Sequence, residues 1–295
     1  MDILYSPEKV EYDKTLIILG NFDGLHIAHK AVIDKGIEYA KKNGLKSGVL
    51  MFENHTRNEK LITSNKQKLE LLQKLDPDFV YIRKFTKEFM QKSPEEFVQE
   101  LIEEMRMKAV CTGFDYRFGH KAEGDTKTLM ELGQKYSFDV LVTNAVSIEG
   151  QIISSTYIRQ LIGEGDMEKT KEFLGRSYCI AGIVEKGLQN GRKLGFPTAN
   201  VGFEENTVLP KNGVYIGNTE IDGEKYTSVI NVGNNPTFGA EKITVESHIL
   251  DFSKDLYGKE IKVYFDKRIR GDIKFNSLDE LINQISMDIA QARRF

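Results

Sequence analysis

KTLIILGNFDGLHIAH, residues Lys14–His29, decides the architecture of the first half of the chain. Its opening run, Lys14–Gly20, is short, apolar and closed by glycine, the pattern of a strand buried on both faces of a parallel sheet. Strand-like runs of the same kind follow at Ser47–Phe52, Phe79–Ile82, Ala109–Gly113 and Asp139–Thr143, with helix-like segments between them. Ser93-Pro94-Glu95-Glu96 combines an N-cap, a first-turn proline and a capping-box glutamate, and predicts a helix running to about Met105. Strands alternating with helices predict an α/β domain: an open parallel sheet, helices on both faces, ligands beyond the strand C-termini.

A helix beginning within Asn21–His29 places His26 and His29 at i, i+3 near its N-terminus. Unpaired N–H groups and the positive end of the helix dipole make such a place a seat for phosphate, and favour neutral imidazoles that donate hydrogen bonds. Zinc binding is the rival reading, with Asp23 the one further ligand nearby and no second cluster.

In the second half, Gly187–Val201 reads GLQNGRKLGFPTANV. Gly187, Gly191 and Gly195, with the basic pair Arg192–Lys193, suit a loop whose bare N–H groups wrap phosphates. Thr198 and Asn200 offer neutral oxygens for a hard cation such as magnesium, held in place by Pro197. The plainer alternative is a glycine-rich surface turn. Before this loop, Asp166 caps a helix (Met167–Leu174) that stops at Gly175, and the pattern then shifts to short alternating runs, so a domain boundary falls near Arg176–Cys179. Runs at Tyr178–Glu185, Gly213–Ile221, Tyr226–Val232, Lys242–Leu250 and Glu260–Lys267 predict a small antiparallel β-barrel. Within the fourth, Glu246 and His248 share a face about 6.5–7 Å apart. Ser277-x-x-Glu280 opens a C-terminal amphipathic helix with Leu278, Leu281, Ile282, Ile285 and Ile289 turned to the barrel.

The totals fit two soluble domains. The chain has 295 residues and a net charge of −3, which speaks against nucleic acid or an anionic membrane as partner. Leu16–Leu19, the longest apolar run near the start, is too short for a signal segment or a span. Cys111 and Cys179 stand singly and read as core residues of a cytoplasmic protein. A monomer or weak homo-oligomer acting on small molecules is the expectation.

Gly187–Val201 resembles the nucleotide loop of the riboflavin kinase family, and the likeness continues through LPKNGVYIG, NVGNNPTFG, VESHIL, DLYGKEI and RIRGDIKF. Gly20–His29 is similar to the Gly-x-Phe-Asp-Gly-x-His-x-Gly-His signature of HxGH nucleotidyltransferases, in the version found in bacterial FAD synthetases. Gly-Phe-Asp-Tyr-Arg-Phe-Gly at Gly113–Gly119 and Ile-Ser-Ser-Thr-x-Ile-Arg at Ile153–Arg159 match its further signatures. Ala28 replaces a glycine, and Phe52-Glu53-Asn54-His55-Thr56 stands where the family shows Phe-x-Pro-His-Pro. The resemblance implies a Rossmann-like FMN adenylyltransferase domain over residues 1–176 and a β-barrel riboflavin kinase domain over 177–295, using ATP and Mg²⁺ to convert riboflavin to FMN and FMN to FAD. It implies Glu246 as general base of the kinase step, with Gly187, Gly191, Arg192 and Gly195 on ATP and Thr198 and Asn200 on the metal. For the adenylyl step it implies His26, His29 and Arg159 as catalytic, with Gly20, Phe22, Asp23, Gly24, Asp115, Ser155 and Thr156 holding ATP. Arg270 falls on the flavin side. The alternatives are a chain with one working domain, the kinase, and a non-catalytic flavin or nucleotide sensor.

Overall fold

The computed structural model describes the chain apart from residues 7, 54–59, 188–190, 192–193 and 238–239 and the side chains of 235–242. The chain divides into two compact units, Met1–Glu59 with Asn65–Ser154, and Lys60–Ser64 with Ser155–Phe295.

The first unit runs β1 (Asp2–Tyr5), β2 (Thr15–Leu19), α1 (Ile27–Lys42), β3 (Lys46–Phe52), α2 (Asn65–Leu75), β4 (Phe79–Arg83), the short α3 (Lys87–Met90), α4 (Pro94–Met105), β5 (Met107–Gly113), α5 (Thr126–Tyr136), β6 (Asp139–Thr143) and a small hairpin, β7 (Ser147–Ile148) and β8 (Gln151–Ile152). The main sheet is six-stranded in the order β1-β4-β3-β2-β5-β6, and every pairing in it is parallel. All of β2 is buried, because alternate residues enter different cores. Ile17 and Leu19 join Phe97, Val98 and Leu101 of α4 and Leu129 and Leu132 of α5. Leu16 and Ile18 join Val32, Ile33 and Ala40 of α1 and Leu72 of α2. The helix at 94–105 carries the full capping box between Ser93 and Glu96, worth about 1 kcal/mol. β1 lies outside the strand-like runs. It is an edge strand of four residues with Ile3 and Tyr5 exposed, so it lacks the burial that makes the inner strands legible.

Cys111 is fully buried in β5, its thiol donating to the Val32 carbonyl at 3.4 Å. Burial pushes that thiol up to about 11, so it remains protonated as a small core side chain.

The second unit contains α6 (Ser155–Glu164), α7 (Met167–Leu174), β9 (Tyr178–Glu185), β10 (Ala199–Gly202), β11 (Gly213–Ile221), β12 (Glu224–Thr237), β13 (Ala240–Ile249), β14 (Glu260–Arg270) and α8 (Leu278–Ala292). Six strands close a barrel in the order β10-β13-β12-β11-β14-β9. Its interior is not purely apolar. Thr219 and Ser247 meet at 2.7 Å, Ser228 donates to Thr219 at 2.9 Å, and all three are buried, so each hydroxyl is satisfied by another. Buried Asp266 ties α7 to the barrel by accepting from Lys171 at 2.8 Å, Ser177 at 2.6 Å and Asn218 at 3.2 Å.

The C-terminal helix departs from expectation in how it docks. Its N-terminal apolar residues are only partly covered, Leu278 being 57 % exposed, while Ile289 and Ala292 pack on the barrel beside Leu250. The firmer attachment is ionic. Arg270 Nε and Nη2 fork onto Asp288 at 2.8–3.1 Å, and Gln284 donates to the same carboxylate at 2.9 Å. Asp288 is 4 % and Arg270 18 % exposed at the side chain, so neither charge has much water to fall back on. Asp288→Ala is therefore expected to cost about 3 kcal/mol, read as a lower urea midpoint; a loss under about 1 kcal/mol would show a solvent-screened pair instead.

Candidate functional site

The signature loop of the second half contains a strand that periodicity does not announce. β10 is four residues long and pairs antiparallel with β9 on one side and β13 on the other. Asn200 is the cross-strand partner of both Glu185 and Glu246, and Glu246 is in turn opposite Asn231 on β12. Glu185, Asn200, Glu246 and Asn231 thus form a polar row on the outer face of the barrel, while Ala199 and Ser247 point into its buried interior.

Thr198 stands just before β10, and its hydroxyl donates to Glu246 Oε2 at 3.0 Å. His248 Nδ1 lies 2.8 Å from the Pro197 carbonyl, which can only accept, so that nitrogen is the donor. Its ring also meets Phe196 edge-on at 5.9 Å. Two hydrogen bonds from β13 residues therefore pin the dipeptide Pro197-Thr198, each worth on the order of 1 kcal/mol. At Gly187 a Cβ would collide with the Asn200 side-chain amide, so only glycine lets the chain leaving β9 pass so close. The Gly191 carbonyl accepts from Leu194 at 3.1 Å and Phe196 at 2.8 Å, closing a turn in which Gly195 has φ +88°. Arg192 lies outside the described residues. Thr198 and Asn200 thus bring neutral oxygens beside a carboxylate, a donor set that fits a hard divalent cation.

In the first unit, the sheet order reverses between β2 and β5, since β2, β3 and β4 run outward one way and β5 returns to the other side of β2. The crevice beyond such a reversal is where open α/β sheets bind ligands. The two signature loops flank it, one leaving β2 and one leaving β5, with Thr112 of β5 donating to the Leu19 carbonyl at 3.2 Å. A Cβ at Gly20 would sit 2.7 Å from the Phe22 ring, which folds back over it. Phe22 has φ +49° yet is 1 % exposed, so its burial offsets a backbone strain of about 1–3 kcal/mol. Asp23 is buried, Gly24 has φ +80°, and the Leu25 N–H closes the turn onto the Phe22 carbonyl at 3.1 Å. Asp115 is exposed on the loop after β5.

α1 begins at Ile27, with His26 just before its first turn and His29 within it. His26 is the N-cap in extended geometry, and its Nδ1 accepts from the His29 N–H at 3.3 Å. One of the N–H groups expected to meet phosphate is therefore capped by the chain itself. The rings stack, with centroids 3.6 Å apart and 14° between planes. With Nδ1 accepting in that cap, the proton of a neutral His26 ring sits on Nε2. Ala28 sits half-buried in the first turn; Asn54, His55 and Thr56 lie outside the described residues. Among the described residues no cluster of three or more His, Cys, Asp or Glu could hold a metal ion.

The third signature spans the division of the chain, Ile153 and Ser154 counting with the first unit and Ser155–Arg159 with the second. Ser155 and Thr156 open α6, and Arg159 Nε donates to the Lys60 carbonyl at 2.8 Å. Arg270 faces α8, its guanidinium taken up by Asp288 and the Gly271 carbonyl. Glu185 carries no sequence signal of its own, and Asn231 opens the NVGNNPTFG stretch without being singled out by it; the register of β10, β12 and β13 sets them beside Asn200 and Glu246.

Comparison with known proteins finds two families in tandem along the chain. Residues 174–295 match the riboflavin kinase family model, and residues 8–157 match the FAD synthetase model. The bifunctional riboflavin kinase/FMN adenylyltransferase of Bacillus subtilis (strain 168) is 34% identical over 97% of this chain and 94% of its own length. That of Escherichia coli (strain K12) is 35% identical over 99% and 96% respectively. A solved structure titled as a macrolide-efflux protein from Streptococcus pneumoniae superposes with a TM-score of 0.90 and 29% identity over the whole of both chains. Among the described residues, no helix is long and apolar enough to cross a membrane. With two family models in tandem and full-length relatives above 30% identity, the chain belongs to the bifunctional riboflavin kinase/FMN adenylyltransferase family.

Proposed function

We propose that this chain phosphorylates riboflavin to FMN through its barrel half, residues 177–295, and adenylylates FMN to FAD through its first half, residues 1–176, as a cytoplasmic enzyme using ATP for both steps. The observation that carries the reading is the Thr198–Glu246 hydrogen bond, with Asn200 in register beside it. In the kinase step the ribityl hydroxyl attacks the γ-phosphorus of ATP, a P–O bond breaks and ADP leaves. An alcohol is a poor nucleophile, and Glu246 accepts its proton. Thr198 and Asn200 are the residues that would hold Mg²⁺, which when bound neutralises charge on the phosphates. To ATP we assign Gly187, Gly191, Arg192 and Gly195, and to the flavin side Arg270, which anchors α8 to the RIRGDIKF segment.

The adenylyl step needs no base. The phosphate of FMN is already largely dianionic, its second pKa being about 6, and attacks the α-phosphorus of ATP as pyrophosphate departs. The requirement is to quiet repulsion between anions. The N-terminus of α1, His26 Nε2 and His29 suit that task, as do the Gly20–Gly24 turn and Asp115 around ATP. To the same step we assign Ser155, Thr156 and Arg159 on the leaving pyrophosphate.

Incubation with riboflavin, ATP and Mg²⁺, followed by chromatography of the flavins, is expected to yield both FMN and FAD. FMN alone would leave only the kinase half working, and bound but unchanged riboflavin would make the chain a sensor. Glu246→Gln is expected to slow FMN formation by about 10²-fold or more while FMN-to-FAD conversion is kept. His29→Ala should give the mirror image, with adenylylation down by about 10²-fold and phosphorylation intact. Equal loss of both steps in either folded variant would overturn the division of labour.

A further inference from the structure

Arg159 falls between the two matched stretches, which end at 157 and resume at 174. The chain nonetheless fixes it with care. Its Nε donates to the Lys60 carbonyl, and the next residue, Leu61, is gripped from both sides. The Leu61 N–H donates to the Asn206 carbonyl at 2.6 Å, and the Leu61 carbonyl accepts from the Val208 N–H at 2.9 Å, a parallel bridge centred on Thr207. Leu61, Ile62 and Val208 are all buried, so water does not compete for these bonds.

The segment doing the gripping, residues 203–212, leaves β10 and returns to β11. Three barrel side chains hold its carbonyls: Tyr178 of β9 donates to Val208, Tyr215 of β11 to Lys211, and Arg268 Nη2 of β14 to Asn212 at 2.7 Å. Burial pushes the Tyr215 hydroxyl up to about 12, so it keeps the proton it donates. The same segment reaches α6 directly, the Lys211 N–H donating to the Ile162 carbonyl at 3.3 Å. The turn after α6 is also seated: a Cβ at Gly165 would meet the Arg268 Cδ at 2.7 Å and the Tyr215 hydroxyl at 3.0 Å. Strands β9, β11 and β14 thus anchor a strap that sets both α6 and the carbonyl to which Arg159 is bonded.

We propose that residues 206–208, held by Tyr178, are a positioning element for the adenylyl step: through Leu61 and Lys60 the kinase barrel sets the orientation of the Arg159 guanidinium. This inference rests on the assignment of Arg159 to the leaving pyrophosphate. An arginine at a leaving group works on charge that grows in the transition state, so misalignment shows in kcat more than in KM. A displacement of the order of 1 Å there is enough to cost a large factor in rate.

The test is a double-mutant cycle on the full-length protein with FMN and ATP as substrates. Val208→Pro removes the N–H that holds Leu61, Val208→Ala keeps it, and Tyr178→Phe loosens the strap without touching its backbone, serving if the proline variant fails to fold. Arg159→Lys removes the Nε donor. Val208→Pro or Tyr178→Phe is expected to lower kcat for FAD formation by about tenfold, with KM for ATP and the rate of riboflavin phosphorylation within about twofold of the parent. Val208→Ala should fall well short of Val208→Pro, and either strap variant combined with Arg159→Lys should be no slower than Arg159→Lys alone. Additive losses in the cycle, or equal losses of both activities, would overturn the positioning role while leaving the assignment of Arg159 intact. An Arg159→Lys variant that makes FAD at the parental rate would overturn that assignment, and the inference with it.

Discussion

Closure of the barrel by a strand of only four residues is the constraint on which the second unit depends. Without β10, β9 and β13 would be the two edges of an open sheet, each with a row of unpaired backbone groups. Pairing to both removes those edges and, by the same hydrogen bonds, fixes Asn200 between Glu185 and Glu246. Register in a sheet is all-or-none, because a slip of one residue turns every side chain to the other face. The residues read as metal and nucleotide ligands are thus located by the ladder that makes the fold stable, and the Thr198 and His248 bonds add the last constraint.

The two units solve different electrostatic problems with different parts of the backbone. The barrel presents a carboxylate with neutral oxygens around it, the set to which proton acceptance and cation binding are assigned in the proposed kinase step. The parallel sheet presents the start of a helix, a buried turn in left-handed conformations and two stacked imidazoles. Strain at Phe22 is held there by packing instead of by charge.

Much of this was legible in the sequence because the informative elements are buried on a fixed period. β2, β9, β11, the capping box at Ser93 and the N-cap at Ser277 stand where their patterns put them, although Glu280 accepts from the Asn276 N–H and leaves the second box open. β1 and β10 escaped, each four residues long: β1 has no alternation, and that of Ala199 and Val201 in β10 is too short to stand out. At His26 the sequence supports both a first-turn residue and a cap, and only backbone geometry separates them. Glu185 is an ordinary polar residue, and Asn231 one member of a longer matched stretch, until strand register brings them beside the loop. The amphipathic pattern of α8 overstated its burial, since the helix is held near its C-terminal end by a charge pair that no hydrophobic period encodes.

The five residues Lys60–Ser64 count with the second unit although they lie far upstream of the rest of it in sequence. The unit is therefore discontinuous, and no single cut in the chain yields it whole. A recombination event joining the two halves at one junction would carry α6 with the barrel and leave its Lys60–Leu61 partner behind. Family matches that follow one another along the sequence do not show this: the second unit takes up a short stretch of chain that lies inside the first match.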